Sequence, residues 1–194
     1  MSNTDKYYEE NSSNFISSTK GCDMSYIQSM FLKYIKPQGK ILDVGFGSGR
    51  DSLAFLSKGY DVYSLDPCEA FIENGKTIGL PHLLKENIED IKYKEEFDGI
   101  FCCASLLHLP KEKLPKVFKL LNNALKKDGT IYISFKYGDF EGIRTERYFT
   151  DLTEESLKAL LKDSGLYIVE MQVSKSVKVD SDQVWLNAIL QKGN

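Results

Sequence analysis

Residues 41–50, ILDVGFGSGR, constrain this chain more than any other stretch. An apolar strand carrying Asp43 runs directly into Gly45, Gly47 and Gly49, and a second apolar run, YDVYSLD at 60–66, ends in Asp66. A strand, a glycine turn, a helix and a second strand tipped by a carboxylate make a nucleoside-binding unit. The glycines let backbone N–H groups approach a ligand that any Cβ would block, and the carboxylate can accept from both hydroxyls of a ribose. Spacing narrows the ligand further. A dinucleotide fingerprint, G-x-G-x-x-G, ends in a glycine that allows close helix–strand packing. Arg50 holds that place here, which argues against NAD.

The rest of the chain frames this unit. Met24, Ile27, Phe31, Tyr34 and Ile35 recur at helical spacing before Pro37. From residue 40 the apolar pattern alternates strand and helix. Strands are expected near 40–44, 60–65, 82–85, 97–105 and 130–136, with helices near 49–57, from Pro67 to about Gly75, and over 114–125. The run FDGIFCCAS is apolar nearly throughout, as a central parallel strand requires. Thr153 caps a further helix that Gly165 stops. The last strands, near 166–173 and 184–191, are joined by too few residues for a helix and are expected to pair antiparallel.

Composition excludes several classes. The chain has 194 residues, enough for one domain with a full core. Its net charge of −3 gives no global field to draw in a polyanion or an acidic membrane. The start, MSNTDKYYEE, lacks the basic and apolar regions of a secretory signal, and no apolar run is long enough to span a bilayer. Cys22, Cys68, Cys102 and Cys103 have no metal-ligand spacing, and His82 and His108 are the only histidines. Reduced thiols in a cytoplasmic protein without a metal site are expected.

The pattern Asp43-x-Gly45-x-Gly47-x-Gly49 resembles the first motif of class I S-adenosylmethionine-dependent methyltransferases. Parallel strands closed by a C-terminal hairpin are similar to the same family, so the resemblance covers about residues 37–191. It implies an α/β fold: a Rossmann-like seven-stranded methyltransferase sheet, mostly parallel, with a C-terminal antiparallel hairpin and helices on both faces. It also implies an N-terminal helical lid over 1–36 and a cofactor-binding domain over 37–194, one structural domain overall. The implied cofactor is S-adenosylmethionine, leaving as S-adenosylhomocysteine. Residue by residue, the resemblance sets Gly45 and Gly47 against the methionine part, with Arg50 nearby. It gives Asp43 either the glycine turn and the amino group or a purely structural role, and Asp66 the ribose, with Pro67 beside it. Asn87 and Ile88 fall to the adenine, where the family usually has Asp, so that Asn87 reads equally as a turn residue. Ala104 falls beside the sulfonium.

The run ASLLHLP is similar to a small-molecule, tellurite-methyltransferase-like subset. In it His108 is either a general base or an anchor for its loop. Tyr8, with Tyr7, suggests a lid rather than a loose tail. Lys136, Arg144 and Arg147 follow strand five, where they either bind an anionic acceptor or pair with the interleaved Asp139, Glu141 and Glu146 in a solvated loop. Trp185 is expected in the core rather than on a substrate. The expected function is methyl transfer to a small, anionic or polar acceptor by a monomer or homodimer. The alternatives are an RNA, DNA or protein methyltransferase, and a non-catalytic cofactor-binding sensor or partner subunit.

Overall fold

The computed structural model describes residues 3–178 and 181–193. Residues 1 and 2 of the expected lid segment, 179 and 180 of the last connection, and Asn194 lie outside the described residues. Two helices lead in. The polar α1 (Asn3–Thr19) buries Thr4, and α2 (Ser25–Leu32) buries Ile27, Gln28 and Phe31. The chain then alternates as the apolar pattern requires: β1 (Lys40–Val44), α3 (Arg50–Ser57), β2 (Asp61–Leu65), α4 (Glu69–Thr77), β3 (His82–Leu84) and β4 (Phe97–Cys102). After β4 come α5 (Leu114–Ala124), β5 (Leu125–Lys136), β6 (Glu141–Arg144), β7 (Arg147–Thr150), α6 (Glu154–Leu161), β8 (Leu166–Lys175) and β9 (Val184–Lys192).

Seven strands form one sheet in the order β3-β2-β1-β4-β5-β9-β8. β1 to β5 are parallel, and β9 runs antiparallel between β5 and β8. This is the mixed Rossmann-like sheet expected of the chain. Its central strands are buried on both faces, which is why β4 reads as an apolar run broken only by Asp98. On one face Phe31 and Phe55 close on Phe101 at ring distances of 5.2 and 5.1 Å. Gly99 makes that closeness possible, because a Cβ there would meet Phe31 and Ile35 at 2.6 Å. On the other face α5 presents Leu114, Val117, Phe118 and Leu121, and α6 presents Leu157 and Leu161. Trp185 packs partly buried against this core.

Local signals set the ends of the helices. Thr153 and Ser156 form a reciprocal capping box at the start of α6. Pro67 does not open α4. Cys68 is the N-cap, and the helix runs past Gly75 to Thr77. The stretch expected as a polar loop is instead an antiparallel hairpin, in which β6 pairs with β7 from Glu141↔Thr150 to Arg144↔Arg147. Its tight turn holds Thr145 and Glu146 at φ 44° and 66°, where a glycine or asparagine would have signalled it.

Candidate active site

Strand order reverses between β1 and β4, so the crevice beyond their C-terminal ends is where an open α/β sheet binds ligands. The chain puts chemistry just past each parallel strand. Gly45 follows β1, Asp66 follows β2, Asn87 comes soon after β3, Ala104 and Ser105 follow β4, and Lys136 ends β5.

The glycine turn is left-handed at Gly45, Gly47 and Gly49, with φ of 70°, 51° and 79°. Gly45 N–H donates to the Leu65 carbonyl at 2.7 Å, which ties the turn to β2. Gly47 N–H donates to the Asp66 carboxylate at 3.2 Å, and Cys68 N–H donates to its other oxygen at 3.0 Å. Asp66 is buried, and burial pushes its pKa up to about 7 against the pull of those two N–H groups. Asp43 lies deeper. It accepts from the Ser52 hydroxyl at 2.6 Å, which also meets Ser64 at 2.8 Å, and burial with the nearby Asp51 lifts its pKa to about 7. Arg50 is committed to Asp51 at 2.5 Å and to the Thr19 carbonyl at 3.3 Å, so it fastens the end of α1 to α3. Pro67 and Asn87 are exposed, with Asn87 opening a turn through its carbonyl to Asp90 N–H, while Ile88 is buried.

Strand β4 stops at Cys102, short of the expected end, because Ala104 turns left-handed at φ 53°. Its N–H donates to Ser134 Oγ at 2.8 Å. Ser105 follows, and the sequence alone did not single it out. Its Cβ lies 2.5 Å from where a Cβ on Gly45 would stand, and its buried Oγ has no hydrogen-bond partner among the described residues.

α1 lies across this crevice. Glu9 caps the start of α4, accepting from Glu69 N–H at 2.7 Å and Ala70 N–H at 3.2 Å. Thr4 accepts from Tyr148 N–H at 2.9 Å. Phe15 and Tyr8 pack on Phe71, and the Phe15 ring comes within 2.9 Å of a Cβ position on Gly47. Tyr8 meets His108 Nε2 at 2.8 Å, while His108 Nδ1 lies 2.7 Å from the Tyr148 carbonyl. A carbonyl only accepts, so the ring proton sits on Nδ1 and Nε2 accepts from the Tyr8 hydroxyl. Burial pushes the His108 pKa down to about 4, helped by Arg147 and Lys136 and opposed by the Tyr148 carbonyl.

The three candidate cations surround Phe149. Lys136, Arg144 and Arg147 lie 4.1, 5.1 and 5.1 Å from its ring centre. Their partners differ. Arg144 forms an ion pair at 2.5 Å with buried Asp151, not with the interleaved acids that one of the two sequence readings offered it. Glu141 is engaged instead by Lys111 N–H and the Tyr148 hydroxyl, both at 2.8 Å. Arg147 donates at 3.3 Å to the Tyr8 and Thr145 hydroxyls and covers the Tyr7 ring at 4.5 Å. Among the described residues neither Arg147 nor Lys136 forms a salt bridge.

Residues 42–133, from β1 into β5, match the family described as "Methyltransferase domain". This match supports S-adenosylmethionine-dependent methyl transfer as the chemistry of that stretch. It is 26% identical over 158 residues to an uncharacterized methyltransferase of Staphylococcus carnosus, covering 71% of this chain and 75% of that protein. In fold it is similar to the Burkholderia thailandensis 1,6-didemethyltoxoflavin-N1-methyltransferase, with a TM-score of 0.79 at 19% identity over 97% of this chain and 85% of that one. A SAM-dependent methyltransferase from Methanosarcina mazei matches with a TM-score of 0.74 at 21% identity, over 84% of this chain and 97% of that one.

The cofactor's chemistry fits the groups on the strand tips. Asp66 offers a buried carboxylate satisfied by backbone N–H alone, and Ser105 offers an orphaned hydroxyl beside Gly45. Phe15 of α1 packs against the glycine turn, where a Cβ on Gly47 would stand. Among the described residues no helix is long and apolar enough to cross a membrane.

Proposed function

We propose that the protein transfers the methyl group of S-adenosylmethionine to a small anionic or polar acceptor. In this reading Asp66 takes the ribose with Pro67 beside it, and Asn87 and Ile88 flank the adenine. Gly45, Gly47, Ala104 and Ser105 surround the methionine and sulfonium. Asp43 acts from beneath the turn through Ser52, and Arg50 through its hold on α1. Lys136 and Arg147 hold the acceptor, while Arg144 shapes the hairpin through Asp151. The sulfonium is already reactive, so these residues work mainly by positioning and by excluding water.

The observation that carries the acceptor class is the pair of cations on Phe149, at the β5 tip and on β7, held by aromatic faces rather than by carboxylates. A small anion needs one such fork, and the ASLLHLP run supports the tellurite-methyltransferase-like subset. The Burkholderia neighbour was solved with its small-molecule substrate and S-adenosylhomocysteine bound, which supports the same choice. Free cysteines suit a cytoplasmic setting. The test is a screen with labelled methyl. Transfer to small anions with release of S-adenosylhomocysteine is expected. Transfer to bulk tRNA or DNA that falls log-linearly with salt would reject the acceptor class, and cofactor binding without any transfer would favour a sensor.

We further propose that, of the N-terminal segment 1–36, α1 is a lid, while α2 is fixed in the core through Ile27 and Phe31. α1 is pinned through Thr4, Tyr8, Glu9 and Thr19, and its Phe15 packs directly on Gly47 of the glycine turn. Adding cofactor should therefore change amide exchange in α1 more than in the sheet, with protection rising once the helix redocks. Identical α1 exchange with and without cofactor would leave the helix a fixed part of the fold.

A further inference from the structure

We infer that the acceptor enters already ionised, as a small thiolate or oxyanion whose lone pair needs no enzyme base, because both ring nitrogens of His108 are spent on Tyr148 and Tyr8 while Lys136 and Arg147 stand ready to hold a negative charge. This inference rests on the methyl-transfer reading and narrows it.

A general base needs a free lone pair within hydrogen-bond reach of the proton it takes. The Nδ1 of His108 carries its proton toward the Tyr148 carbonyl, and its Nε2 lone pair is filled by the Tyr8 hydroxyl. Tyr8 is no substitute. Its O–H is donated to His108, its oxygen accepts from Arg147, and burial raises its pKa. The charged groups facing His108 are Arg147 on β7, Lys136 at the end of β5 and Asp5 on α1. The two cations disfavour an imidazolium and favour an anion in the same space. Ser105 offers only a hydroxyl. His108 instead ties three elements together: the turn after β4, the β6–β7 hairpin and α1.

The chemistry balances without a proton transfer. The acceptor's lone pair forms the bond to the methyl carbon as the carbon–sulfonium bond breaks, and the breaking pair stays on sulfur. An anion and a sulfonium become two neutral groups. An alcohol or an ammonium ion would have to lose a proton first, and the site has nowhere to put it.

The test uses the full chain with a series of aryl and alkyl thiols of graded acidity, plus a primary alcohol and a primary amine of similar size. Below each thiol's own pKa, kcat/KM should fall about tenfold per pH unit. That limb should move with the thiol, and should move in the same way in His108→Gln. The alcohol should not be methylated, nor the amine while it is protonated. Independently of turnover, the His108 ring signals, distinguished from those of His82 by a His82→Gln variant, should remain those of a neutral imidazole across the physiological pH range. A limb fixed at one pH for every acceptor, or a His108 ring that titrates near neutrality, would overturn the inference. Cofactor binding seen by calorimetry, with no transfer to any acceptor class, would instead reject the methyl-transfer reading and this inference with it.

Discussion

Asp66→Ala should weaken S-adenosylmethionine binding by ~100-fold or more, a loss of about 3 kcal/mol. A buried carboxylate that accepts from ribose hydroxyls forms charge-assisted bonds, and alanine leaves those hydroxyls without a partner. The same substitution removes the acceptor for Gly47 and Cys68 N–H, so the glycine turn loses its tie to β2 on that side. The pH dependence separates these contributions. In the ligand-free protein Asp66 has a pKa of about 7, raised by burial above the ordinary 3.8. Between those values the folded state holds a proton that the unfolded chain releases, so this group's contribution to stability declines as pH rises from about 4 to about 7. Hydroxyl donors stabilise the ionised form. Cofactor binding near or below pH 7 should therefore release protons, and affinity should climb with pH and level off above 7. Calorimetry in buffers of different ionisation enthalpy measures the released protons, and Asp66→Asn should abolish the part that Asp66 supplies. Asp43, raised to about 7 as well, still carries its carboxyl in that variant, with the repulsion from Asp66 removed. An Asp66→Ala protein that binds cofactor as the wild type does would remove Asp66 from the site.

The parts of this architecture that were legible in the sequence are those set by local chemistry. Gly45, Gly47 and Gly49 occupy left-handed positions that other residues resist, so the turn announces itself. Strand and helix periods follow burial, and β1 to β5, β8 and β9 could be read from them. The β6–β7 hairpin was hidden because Thr145 and Glu146 occupy positive φ without the usual turn residues. Long-range partners were hidden for a different reason. The interleaved acids suggested local pairing for Arg144, but the chain folds back after β7 and brings Asp151 to it. Nothing near Glu9 signals that it caps a helix 60 residues later, and nothing near Tyr8 signals that it fills His108 Nε2. A polar helix such as α1 has a weak apolar period, so its docking depends on these specific contacts.

That difference in partners makes Arg144 and Arg147, three residues apart, behave oppositely when cut to alanine. Arg147→Ala should raise the acceptor KM by ~10–100-fold, the worth of one charge-assisted fork. Cofactor affinity should change far less, because the hydrogen bond that Arg147 makes to Tyr8 is long, at 3.3 Å, and Tyr8 keeps its 2.8 Å bond to His108. Arg147→Lys should recover part of the loss, since the charge remains while the planar fork is gone. Arg144→Ala should instead cost stability, because Asp151 is buried and would be left without its cation. A loss of ~2–3 kcal/mol is expected there, read as a lowered Tm, with the acceptor KM moving little in protein that remains folded. If Arg144→Ala raised KM while Arg147→Ala only lowered Tm, the two roles would be reversed. If neither moved KM, the acceptor would lie away from Phe149. The first outcome would still fit an anion at the β6–β7 hairpin, because both arginines share that ring. The second, with Lys136→Ala equally without effect on KM, would reject the anionic acceptor itself, since the cations that recommend it would touch nothing in the reaction.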